Sequence, residues 1–122
     1  MVNARSNEIR VGFYSYEVQQ GDYVYGRTMN YDQKIKPDQW YRVEQYIKLN
    51  TPGRNDGVLR GWIDGKLVFE KTDCIWRNTD QLKINSYWLD FYRGGKEPAN
   101  HDHHIYIDDL AIGTARIGLV QD

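Results

Sequence analysis

Residues 40–71, WYRVEQYIKLNTPGRNDGVLRGWIDGKLVFEK, constrain the fold more than any other stretch of the 122-residue chain. Over Val43–Leu49, Val43, Gln45, Ile47 and Leu49 fall on one face, and Glu44, Tyr46 and Lys48 on the other. That period of two marks a strand with one covered face. Asn50–Asp56 then gathers Asn, Thr, Pro, Gly and Asp, residues that suit irregular connections because they bond their own backbone or accept turn dihedrals. Val58–Ile63 and Leu67–Glu70 flank Asp64-Gly65. An Asp-Gly link between two apolar runs predicts a tight hairpin, since both of its residues can take positive φ. Three antiparallel strands in succession are expected.

The same reading extends along the chain. Glu8–Gln19 alternates Val11, Phe13, Ser15 and Glu17 against Gly12, Tyr14, Tyr16 and Val18, which predicts a strand. Gln20-Gly21-Asp22 signals a turn, Tyr23–Met29 resumes the strand pattern, and the polar Asn30–Asp38 is expected to be a loop with at most one short strand. Lys71–Thr79 is ambiguous. Leu82–Tyr92 and His104–Ile112 read as strong strands on either side of a Gly- and Pro-containing loop, Arg93–Asn100, and Ile117–Val120 is a short apolar tail. No stretch sustains helical spacing. Roughly seven to nine short strands separated by turns predict an all-β fold, an antiparallel β-sandwich. Residues 1–7 are expected to be a flexible N-terminus and residues 8–120 one β-sandwich domain.

Composition sets further bounds. Only 40% of residues are hydrophobic, but 14% are aromatic, and large rings supply buried area where aliphatic side chains are few. Net charge is −1, with ten basic against seven acidic residues over 34–83, and no Lys/Arg cluster marks a nucleic-acid footprint. No apolar run is long enough to span a membrane and no apolar signal core opens the chain, so a cytoplasmic location with no membrane or nucleic-acid partner is expected. The single Cys74 reads as an apolar filler. No phosphate loop, dinucleotide fingerprint, nucleophile elbow or CxxC occurs.

WYRVEQYIKLNTPGRNDGVLRGWIDGK resembles the central segment of the polysaccharide lyases that include the alginate lyases of family 14 and the glucuronan lyases of family 20. GFYSY (12–16), LKINSYW (82–88), Gly94-Gly95 and IYIDDLAIG (105–113) extend the resemblance over about residues 10–118. It implies a concanavalin-like jelly roll holding an acidic polysaccharide across a concave sheet. The resemblance covers the later part of such domains, which implies a shortened jelly roll whose uncovered apolar face and sheet edges are completed by a second copy. A homodimer or higher even oligomer is expected.

Uronate lyases neutralise the sugar carboxylate, remove the C5 proton with a base and protonate the leaving oxygen with an acid. By placement, Lys48 is the candidate neutraliser, on the polar face with Glu44 and Tyr46. Glu44 and Tyr46 are ligand-facing candidates by the same placement; the resemblance adds Arg77 and Tyr92 as catalytic candidates, and Tyr16, Glu17 and Arg93 as ligand-facing ones. Two positions depart from the family pattern: Glu17 stands where YxYH has His, and Arg93 where YHGG or YYGG has His or Tyr. If both face the cleft, Glu17 and Arg93 are expected to pair. No metal or other cofactor is expected: His101-Asp102-His103-His104 reads as a polar loop, and Asp108-Asp109 as a turn in preference to a structural Ca²⁺ site. Three readings stay open. The chain is a carbohydrate-binding relative of uronate lyases taking an acidic oligosaccharide, a small oligomeric interaction protein, or an active lyase working by β-elimination.

Overall fold

Alternation of large apolar and polar side chains is realised in two three-stranded antiparallel sheets. The computed structural model describes residues 2–5, 8–18, 25–96, 98–99 and 102–118. Among these, β1 (Val2–Arg5), β2 (Glu8–Ser15) and β3 (Arg27–Ile35) form one sheet in chain order. β4 (Val43–Lys48), β5 (Gly57–Ile63) and β6 (Lys66–Cys74) form the other. The described residues contain no helix. The predicted all-β sandwich is therefore the fold.

The central strands form as their sequence dictates. β4 pairs with β5 in continuous register from Val43 opposite Ile63 to Lys48 opposite Val58. Asp64 (φ 49°) and Gly65 (φ 80°) make the expected left-handed link between β5 and β6. Asp64 also closes the start of β4. Its Oδ1 accepts from the Arg42 backbone N–H at 2.9 Å, and its own N–H donates to the Arg42 carbonyl at 2.9 Å.

The inner faces meet around Val11, Phe13, Tyr31, Leu59, Ile63, Val68 and Cys74. Phe13, Tyr31 and Phe69 form an aromatic triangle across the two sheets, with ring centres 5.5–6.0 Å apart. Tyr31 is fully buried and its ring lies on the backbone of Gly61. A Cβ at position 61 would stand 2.1 Å from the Tyr31 Cζ, so only glycine admits the ring. A second join lies at the end of β2, where Trp76 Nε1 donates to Ser15 Oγ at 2.8 Å and the Val18 N–H donates to the Ile75 carbonyl at 2.8 Å.

Several expectations are corrected. Asn30–Ile35, expected in a loop with at most one short strand, belongs to the nine-residue β3: Met29, Tyr31 and Ile35 pack in the core, and Asn30, Asp32 and Lys34 are exposed. Val2–Arg5, expected to be flexible, pairs with β2 from Val2 opposite Val11 to Arg5 opposite Glu8; backbone hydrogen bonding to a free strand edge requires no apolar sequence. β6 runs on to Cys74, through half of the ambiguous segment. Leu82–Tyr92 and His104–Ile112, expected as strong strands, make no strand pairing among the described residues, and those from 78 to 117 are exposed. The strand count falls below the expected range for that reason. The turn expected at residues 20–22, the first two residues of the strand expected after it, His101 and the end of the apolar tail lie outside the described residues.

Among the described residues, the two sheets meet closely along one side and lie open at the other. β3 and β6 meet, whereas at the far edges of the two sheets Val2 on β1 is 51% exposed, and Val43 and Ile47 on β4 are 45% and 46% exposed. Val43 and Ile47 sit opposite the buried Ile63 and Leu59, so they belong to the core face. They are nonetheless more open than their outward neighbours Glu44 and Tyr46. β4 carries a core face without a cover.

Candidate ligand-binding face

The outer surface of the β1–β2–β3 sheet carries a tyrosine pair and a cluster of charged side chains. Phe13 points into the core, so Tyr14 points outward, and the Tyr14 and Tyr16 rings meet edge to face with centres 5.4 Å apart. The Tyr14 ring crosses Gly26, where a Cβ would come within 2.8 Å of it. The hydroxyls of Tyr14 and Tyr16 share a hydrogen bond, which, with burial and the nearby Tyr16 and Tyr92 hydroxyls, holds the Tyr14 phenol above its ordinary value.

Gly12, Asn30 and Thr28 continue this outer face away from the tyrosines, in the register Gly12 opposite Asn30 and Tyr14 opposite Thr28. Arg10 and Lys34, opposite each other, end the row. Glu8 lies beside both: Lys34 Nζ donates to it, and Arg10 stands 3.6 Å away. The Lys34 bond, above all, draws the Glu8 carboxyl below its ordinary value of 4.5. An open groove of about 690 Å³ runs from Arg10, Asp32 and Lys34 to Lys66 and Glu70 on β6.

The sequence-predicted site residues are divided among several places. Lys48, Tyr46 and Glu44 share the outer face of β4, opposite Val58, Arg60 and Trp62. Lys48 is exposed. Tyr46 is half-buried across from Arg60, whose Nε donates to Glu70 Oε2 at 2.6 Å. Glu44 receives the Ile117 N–H at 2.9 Å and the Gly118 N–H at 3.3 Å, with Arg116 Nε at 3.6 Å. That guanidinium also stands 4.7 Å from the Trp62 ring centre. Glu44 therefore anchors residues 116–118.

Arg77 is a tether as well. Its Nε donates to the Asn50 carbonyl and its Nη1 to the Leu82 carbonyl, both at 2.7 Å. Glu17 accepts from the Ile75 N–H at 3.3 Å and faces Lys71 Nζ at 3.7 Å, with only 14% of its side chain exposed. The ion pair seen for Glu17 is thus with Lys71, in place of the expected Arg93. Tyr16 and Tyr92 are 61% and 82% exposed, and Arg93 lies next to Tyr92 on the exposed segment. Lys48 and the tyrosine group occupy the outer faces of different sheets, so one chain does not place them around the same sugar ring.

Asn50 escaped the sequence reading. Fully buried, its Nδ2 donates to the carbonyls of Thr51, Arg54 and Arg77, and its Oδ1 accepts from the N–H groups of Trp76 and Arg77. Its position at the head of a polar connection gave no hint of this. Tyr14, Arg10 and Lys34 were also missed as site residues, although the Tyr-x-Tyr spacing on an outward face was a usable signal. Cys74 is buried as expected, and burial pushes its thiol up to about 11. Among the described residues no three His, Cys, Asp or Glu side chains gather as a metal site, and Asp108 Oδ1 accepts from the Asp109 N–H at 2.8 Å.

Two antiparallel sheets packed face to face, with tyrosines and cations on one outer surface, define a small all-β sandwich. The family model described as polysaccharide lyase 14 matches residues 5–110, and the chain belongs to that family. The comparison with curated proteins finds no match, and neither does the comparison with solved structures.

Proposed function

We propose that the protein binds an acidic polysaccharide along the outer face of β2 and β3. The observation that carries this reading is the alignment on one sheet surface of the Tyr14–Tyr16 pair with Arg10 and Lys34. Tyrosine rings offer planes to the apolar faces of sugars, their hydroxyls bond sugar oxygens, and a cation answers a uronate carboxylate. Family membership supports an acidic polymer as the ligand class.

Calorimetric titration with glucuronan and alginate oligosaccharides tests the reading. Saturable binding that weakens with salt is expected, and Tyr16→Ala should lower affinity about fivefold, roughly 1 kcal/mol of stacking. Absence of binding at millimolar oligosaccharide overturns it.

Family membership also favours a second reading, β-elimination. In that reading Arg10 or Lys34, on the same sheet face as Tyr14, neutralises the carboxylate and a tyrosine moves the proton, while Lys48 lies on the other sheet. The Tyr14 phenol, held above its ordinary value, is protonated at neutral pH and suits the acid more than the base. Ultraviolet absorbance of an unsaturated uronate on incubation with either polymer identifies the activity. Its absence while oligosaccharide still binds leaves the first reading standing alone.

A further inference from the structure

The described residues between Leu82 and Gly113, here called the arm, carry the side chains of a buried strand. Leu82, Ile84 and Trp88 alternate with Tyr87, Leu89 and Phe91, so both faces of the first segment carry large apolar groups. Such a pattern belongs to strands covered on both sides. All six are at least 49% exposed, and Trp88 is 82% exposed. Ile105, Ile107, Leu110 and Ile112 repeat the situation on the second segment.

Both roots of the arm are fastened, and they lie beyond opposite ends of β4. Arg77 ties Asn50, just past Lys48, to Leu82. Glu44, near the start of β4, holds Ile117 and Gly118. Between these roots β4 has an open edge, since the sheet order makes it an outer strand, and an open core face at Val43 and Ile47. The molecule therefore carries both halves of an unmade contact: exposed segments rich in apolar groups, and an uncovered sheet margin that could receive them.

The whole surface gives the scale. The chain presents 10261 Å² to solvent at a mass of 14.4 kDa. A folded monomer of that mass exposes roughly 6,800 Å², which leaves an excess of about 3,400 Å² per chain. Interfaces of obligate dimers bury on the order of 2,000–5,000 Å² in total, so the excess suffices for one.

We infer that two copies of this chain associate by reciprocal strand donation, each arm pairing with the β4 edge of the other copy and covering its Val43 and Ile47. Two-fold symmetry makes the contact self-complementary and closed, because each copy is donor and acceptor at once. The arm is then the missing wall of the partner's sandwich. This inference is independent of the sugar-binding reading, which rests on β2 and β3.

Sedimentation equilibrium of the full chain at micromolar concentration, combined with amide hydrogen exchange read by mass spectrometry, tests it. The expected result is twice the 14.4 kDa chain mass, with slowed exchange across Leu82–Tyr92, His104–Ile112 and β4. Ile47→Lys should convert the dimer to a monomer, with β2, β3, β5 and β6 still protected and the arm exchanging at least tenfold faster. A monomer mass for the unaltered chain overturns the inference, whether the arm is then protected by folding onto its own β4 or not protected at all. A dimer whose arm amides exchange freely, or an assembly of more than two chains, also overturns it.

Discussion

Tyr31 and Gly61 fix how closely the two sheets approach. Adding one methyl group in Gly61→Ala forces the Cβ into the Tyr31 ring, and overpacking of that kind costs about 3 kcal/mol. Chemical denaturation should show the loss, and a Tyr31→Leu background should recover part of it by vacating the ring's space. The Tyr31 hydroxyl is buried without a hydrogen bond of ordinary geometry, and burial pushes its phenol up to about 12, with Gln45 offsetting part of the rise. The unfolded chain releases this proton near the ordinary value of 10.0, and the folded chain does so only near 12. The Tyr31 contribution to stability is therefore complete below pH 10 and is lost as pH rises toward 12, and that of Cys74 is complete below pH 9.0 and is lost toward about 11. Tyr31→Phe should change stability at pH 7 by less than about 1 kcal/mol and flatten the upper part of that alkaline decline, measured by denaturant midpoints across the pH range.

At the scale of elements, the connection between β4 and β5 depends on one side chain. Asn50 ties it to residues 76–77, so Asn50→Ala leaves several buried backbone groups without partners. A loss on the order of 3–4 kcal/mol is expected in thermal or denaturant unfolding. The same stretch shows what the sequence can reveal. β4, the Asp64-Gly65 link and β5 were legible because period and turn chemistry agree locally. β3 was not, since Asn30, Asp32, Gln33 and Lys34 hide the inward Tyr31 and Ile35 in a polar composition. The segments after Leu82 read as strands from their side chains, but pairing needs a neighbouring edge, and periodicity carries no information about where that edge lies. Within the candidate site, exposed Tyr16 and Lys48 could be singled out, whereas the anchoring of Arg77, Glu17 and Glu44 depends on residues that sequence separation conceals.

For the whole molecule, acid is the condition that tests its exposed polar ties together. Glu8, Asp56 and Asp73 all sit below their ordinary values. The main causes are bonds from Lys34 to Glu8, from the Thr51 hydroxyl and N–H to Asp56, and from Lys71 to Asp73. Depressed carboxyls contribute stability that is present above their unfolded values of 4.5 and 3.8 and is lost as pH falls through the lower folded ones. Denaturant midpoints should hence fall below about pH 4.5, with a shallower fall in Asp56→Asn. Added salt should weaken the Glu8 and Asp73 contributions more than that of Asp56, whose partners are neutral.

The ring that rests on Gly61 also has a consequence for inheritance. Positions 31 and 61 lie in different sheets and share no turn or strand pairing, yet a change at one alters which residues the other can accept. Descendants of this sandwich that acquire a side chain at position 61 should carry a slimmer residue at position 31, and the two should be lost or gained as a pair.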